Sequence, residues 1–93
     1  MKGLAAVIME AVEAGRSVGY EEWIRNQIAR ELAGDGQATI DRFIVGSQRH
    51  ALRRAEEMEA AARYLLYLGV PDTMTEATRR SLMRLHDCQY RCD

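Results

Sequence analysis

The stretch TIDRFIVGSQRHALRRAEEMEAAARYLLYL, Thr39 to Leu68, decides how this chain folds. Its apolar positions Ile44, Ala51, Met58 and Leu65 recur every seven residues, and Ala55 and Ala62 each follow one of them by four. That is the inner stripe of an amphipathic helix. Arg53 with Glu57 and Glu59 with Arg63 stand four apart outside it, where opposite charges support a helix. Thr39 is placed to cap the start, and Gly69-Val70-Pro71 to stop the end. An unbroken helix over residues 40–68 would measure about 43 Å, whereas a compact globule of this length spans about 32 Å. Two resolutions are open. Either the helix bends or breaks at Gly46-Ser47, a pair that commonly marks kinks, or a second copy of the chain covers its overhang.

The flanking segments read as shorter helices. Upstream, Leu4, Val7, Ile8, Ala11 and Val12 make a stripe over residues 3–14 that runs into Gly15, a natural C-terminal stop. After Arg16-Ser17-Val18-Gly19, Tyr20, Ile24, Ile28 and Leu32 repeat every four residues with Trp23 alongside. Glu21 and Glu22 suit a helix N-terminus there, and Gly34 ends the helix. Downstream, Thr73-Met74-Thr75-Glu76 follows Pro71-Asp72 as a capping box, with Met74, Ala77, Leu82 and Leu85 inward and fraying near Tyr90. Short connections argue for adjacent, mostly antiparallel neighbours. The reading is an all-α fold: a small four-helix arrangement with a long third helix, kinked near Gly46 if it is not covered, in a single helical domain over residues 1–93.

Composition agrees. Thirteen of the 93 residues are Ala and six are aromatic, so the core must be thin and closely spaced. Val, Ile and Thr are scattered singly instead of alternating in runs, which excludes convincing strands. The net charge of −1 divides into −3 over residues 1–41 and +2 over residues 42–93, too weak an imbalance for a generic polyanion binder. Twelve of the thirteen cations are Arg, a residue suited to planar recognition. No apolar stretch approaches the roughly 20 residues of a membrane span, and Glu10 and Glu13 interrupt the N-terminal run too early for a secretory signal. A cytoplasmic protein without membrane contact is expected, with Cys88 and Cys92 as reduced thiols, too few and too close for a disulfide framework.

Few residues point to chemistry. His86, Cys88 and Cys92 match no zinc spacing, and Cys88 reads as a small hydrophobe on the last helix. His50 lies among Arg49, Arg53 and Arg54 with no nucleophile beside it, which reads as part of a solvated helix face. A Gly-rich phosphate loop after a strand, a paired-carboxylate motif and a recognisable Ser, His and Asp arrangement are all missing from the sequence. No enzyme activity, cofactor or metal is expected.

Two sets of residues suit binding. Arg42, Gln48, Arg49, His50, Arg53 and Arg54 form a basic cluster with the donors that read DNA, although Glu56, Glu57 and Glu59 dilute its field, and the preceding junction is longer than that of a helix-turn-helix. Tyr64, Tyr67 and Leu68 form an apolar and aromatic turn that wants partners on every side, joined by Trp23 or Phe43 if these are exposed. Burial of Trp23 and Phe43 at the centre of the core is the expectation for side chains so large. The sequence thus reads as a small helical interaction protein, plausible as a homodimer, that binds a larger protein or complex through Arg42, Arg49, His50, Arg53, Arg54, Tyr64 and Tyr67. Regulators, adaptors and inhibitors fit this reading, including those encoded by phages and mobile elements, such as the anti-CRISPR kind. The alternative is a nucleic-acid-binding regulator that uses the basic face.

Overall fold

The computed structural model describes the backbone of residues 1–91 and the side chains of residues 1–89; Cys92 lies outside the described residues. The described chain is all-helical and has five helices: α1 (Lys2–Ser17), α2 (Glu21–Leu32), α3 (Gly36–Arg49), α4 (Ala51–Leu68) and α5 (Thr73–Arg91). The expected long third helix is two helices, so the four-helix arrangement does not hold.

The division falls at His50, not at Gly46-Ser47. His50 leaves helical geometry with φ −124° and ψ 29°. Its N–H still donates to the Gly46 carbonyl at 2.9 Å, closing α3, and its carbonyl accepts from the Arg54 N–H at 2.9 Å, opening α4. Gly46 stays helical for a different reason. A Cβ there would stand 2.7 Å from Nη2 of Arg54, so the missing side chain makes room for a guanidinium folded back from the next helix. The break also resets the phase of the apolar stripe. Ala51, Ala55, Ala62 and Leu65 are buried as their spacing predicts, while Ile44, on the far side of His50, is half exposed.

Two other boundaries move. Gly15 does not end α1, which continues to Ser17. Gly15 is buried, and a Cβ on it would lie 2.7 Å from Cγ1 of Ile24, so it marks the closest approach of α2. The turn itself is made by Gly19, at φ +80°, a conformation that costs other residues. Further along, Asp35 caps α3 by accepting from the N–H groups of Gln37 at 3.0 Å and Ala38 at 3.4 Å. Thr39 lies one turn inside and bonds back to the Asp35 carbonyl.

Helices α4 and α5 make the most extensive pair, and α1 packs on α2 and reaches both of them. On α5, Met74, Leu82 and Leu85 are half-buried as expected, but Ala77 and Cys88 are exposed. The start of α5 is held from a distance. Glu10 of α1 accepts from the Met74 N–H at 2.8 Å, the Thr75 N–H at 2.7 Å and the Thr75 hydroxyl at 2.7 Å. This carboxylate supplies what a helix N-terminus lacks, acceptors and negative charge. Glu76, the expected capping-box partner, turns instead to Arg79, whose Nη2 lies 2.6 Å away.

Among the described residues the buried hydrophobic set is only Val12, Ala51, Ala55, Ala62 and Leu65, so the core lies where α1, α4 and α5 meet. Neither α2 nor α3 buries a residue. Trp23 and Phe43, the expected core fillers, are 57% and 45% exposed. The chain exposes 7063 Å², against about 5500 Å² for an ordinary folded protein of this mass. Its radius of gyration is 14.2 Å, against about 12 Å for a compact chain of this length.

Candidate functional site

The tight α1–α2 turn creates an almost wholly apolar concavity. Gly15 lets α2 close on α1, Gly19 reverses the chain, and the Tyr20 N–H locks the reversal by donating to the Gly15 carbonyl at 2.7 Å. Ala11 and Ala14 form the floor, and Tyr20, Trp23 and Ile24 form one wall. Tyr64 and Leu68, at the end of α4, form the other. The resulting groove measures about 560 Å³. Tyr20, Trp23 and Tyr64 are each more than half exposed, so three large amphipathic residues line the groove without being covered by the rest of the chain. Tyr67 carries the aromatic surface outward: its ring stacks on that of Tyr64 with centroids 6.5 Å apart and planes 17° from parallel, and it is 85% exposed.

Both arginines near this turn are spent on one carboxylate. Glu21 accepts from Arg16 Nε at 2.6 Å and from Arg25 Nε at 3.1 Å. Arg16 above all, then Arg25, holds the Glu21 carboxyl below its usual range, and Glu21 in turn raises Arg16. A second hollow of about 710 Å³, also between α1 and α2, contains Glu10, Arg16 and Arg25, but Glu10 caps α5 and both arginines serve Glu21. Glu10 and Arg16 there link α1 to its neighbours.

The basic cluster is divided by the helix break: Arg42, Gln48 and Arg49 belong to α3, Arg53 and Arg54 to α4. Arg42 lies over the Phe43 ring at 5.3 Å and pairs with Glu31 of α2 at 2.8 Å. Arg53 pairs with Glu57 at 3.2 Å. Arg54 is half-buried in the α3–α4 joint, where it packs on Gly46 and reaches Ser47 Oγ at 3.5 Å. His50 is half-buried in the same joint instead of on a solvated face, and the Gln48 carbonyl accepts from Gln89 of α5. Arg49 is exposed at the end of α3. The cluster therefore presents less unneutralised charge than its sequence suggests. Among the described residues, no group of three His, Cys, Asp or Glu side chains could hold a metal ion, and no helix is long and apolar enough to cross a membrane.

Residues 16–85, from the end of α1 through most of α5, match the model of a family described as a domain of unknown function, DUF1932. The chain belongs to that family. No curated protein and no solved structure matches it. The match takes in Tyr20, Trp23, Ile24, Tyr64 and Leu68, so most of the groove is made of DUF1932 residues, while its floor at Ala11 and Ala14 comes from α1 upstream of the match. Sequence reasoning singled out Tyr64, Tyr67 and Leu68 but set Tyr20 and Ile24 in the interior stripe of α2. The missed signal is the glycine pair Gly15 and Gly19, one closing the helices and the other turning the chain.

Proposed function

We propose that this DUF1932 chain is a non-enzymatic interaction protein that holds an apolar segment of a larger polypeptide in the groove between α1, α2 and the end of α4. The observation that carries this reading is a concavity walled by Tyr20, Trp23 and Tyr64, residues that are each more than half exposed. Tyr and Trp lose little conformational entropy on contact and dominate binding energy at protein interfaces. The bordering arginines Arg16 and Arg25 are already paired with Glu21, so the fitting occupant is an uncharged stripe, such as the apolar face of an amphipathic helix, and not an acidic tail. Arg49, with Arg53 and His50 near it, makes a polar rim at a second place, suited to steering more than to affinity.

The test starts with the intact chain as bait and mass spectrometry to identify what it retains, followed by titration of the purified partner. Trp23→Ser and Tyr64→Ser should each weaken that affinity by about thirtyfold or more and leave the far-ultraviolet dichroism unchanged. Charge reversal at Arg49 and Arg53 should alter association by less. If reversal abolishes binding and the groove variants do not, the basic face is the site. The alternative, a nucleic acid on that face, predicts mobility shifts that grow as salt is lowered. It is disfavoured by the internal pairing of Arg42 and Arg53 and the half-burial of Arg54.

A further inference from the structure

Helix α3 carries a second uncovered surface, distinct from the groove and independent of the reading given to it. Ile40, Phe43 and Ile44 are each between 45% and 51% exposed. Of α3, the side turned toward the rest of the molecule consists of small or polar residues, with Thr39, Gly46 and Ser47 half-buried and Phe43, Ile40 and Ile44 displaced toward solvent. An isolated 14-residue helix containing two glycines and several β-branched residues is not stable in water without a covered apolar face. The neighbours of α3 cover none of its residues fully.

We infer that a second copy of this chain covers that surface, with the α3 stripes of the two copies packed against each other about a two-fold axis. Three observations select this occupant. First, the chain exposes about 1600 Å² more than a folded protein of its mass should, and an obligate dimer interface takes about 1000–2500 Å² from each chain. Second, the residues are of the type that fills cores, Ile and Phe, in contrast to the Tyr and Trp of the groove. Permanent homodimer interfaces resemble a core cut in half, whereas separable partners meet on aromatic and polar anchors. Third, the Ile40, Phe43 and Ile44 stripe contains no charge, and the nearest cation, Arg42, is already neutralised by Glu31 at 2.8 Å. A self-complementary two-fold contact sets like against like, which an uncharged stripe tolerates and a charged one does not.

Light scattering on the intact chain across a concentration series should give about twice the 10.6 kDa of one chain. Ile44→Glu should weaken self-association at least about a hundredfold by placing a carboxylate at an apolar contact, and Trp23→Ser should leave it unchanged. Because Ile44→Glu could also unfold the chain, a second measurement is independent of it. In a Cys88→Ser, Cys92→Ser background, Ile44→Cys should form an intermolecular disulfide on mild oxidation, and Glu57→Cys should not. A single-chain mass at all concentrations overturns the proposal. So does a dimer in which Ile44→Cys fails to crosslink, or one that Trp23→Ser dissociates while folded Ile44→Glu does not; that last result would assign self-association to the groove.

Discussion

The α4–α5 pair and the α2–α3 pair lie within one small chain and use apolar residues to opposite effect. On α4 the buried residues are three alanines and one leucine, with Ala55 only 2% exposed, and α4 shares with α5 the most extensive helix pairing of the chain. On α2 and α3 the side chains are far larger, including Trp23, Ile28, Phe43 and Ile44, yet none is buried. Small side chains let helix axes come together and exclude water from both backbones, whereas large ones bury themselves only when a facing surface exists to receive them. Burial here follows the supply of facing surface and not the size of the hydrophobic group.

The sharpest way to break that comparison is to truncate one residue from each pair. Leu65→Ala, at 7% exposure, should cost about 2–4 kcal/mol in urea unfolding. Trp23→Ala removes a much larger side chain but, at 57% exposure, should cost less than about 1 kcal/mol. Equal losses, or the reverse order, would mean that Trp23 is covered in solution. Next in size is Glu10, which ties α1 to the better-packed pair. Glu10→Ala leaves two backbone N–H groups and a hydroxyl without their acceptor and should cost about 1–3 kcal/mol. Glu10→Gln, which keeps one acceptor, should cost less; identical losses for the two would show that the carboxylate does not cap α5.

The smallest expected effect is acid sensitivity, which compares the starts of α2 and α5. Arg16 and then Arg25 lower the Glu21 carboxyl from its usual 4.5, and Arg79 lowers that of Glu76. Both carboxylates therefore favour the folded state once ionised. Their contribution is complete above the usual carboxylate range and is lost as pH falls through their depressed folded values. Helicity should stay level from neutral pH to about 5 and decline below it. Glu21→Gln with Glu76→Gln should flatten that decline. An unchanged acid limb in the double variant would assign it to other groups.

The helical class and most helix ends were readable in the sequence, because they rest on local spacing and on glycines such as Gly34 and Gly69. The Arg53–Glu57 and Glu59–Arg63 pairs were readable for the same reason. Half of the groove was legible in Tyr64 and Leu68, which sit on a turn with no polar side. Its other wall was not, because Tyr20 and Ile24 obey a perfect helical stripe that says nothing about what faces it. The break at His50 was hidden too. A continuous seven-residue repeat spans it, and its apparent cause, Gly46, proved to be a socket for Arg54.

What the sequence determined by itself was set within a turn or two of helix: the α-helical class, the stop at Gly69, and the buried phase of α4. Only the tertiary structure decided that Gly15 is a contact and not a stop, that Glu10 caps a helix more than sixty residues away, and that Trp23 and Phe43 remain outside the core. Periodicity fixes which side chains share a face. Whether anything covers that face depends on surfaces brought from elsewhere in the chain, and no local pattern encodes that supply.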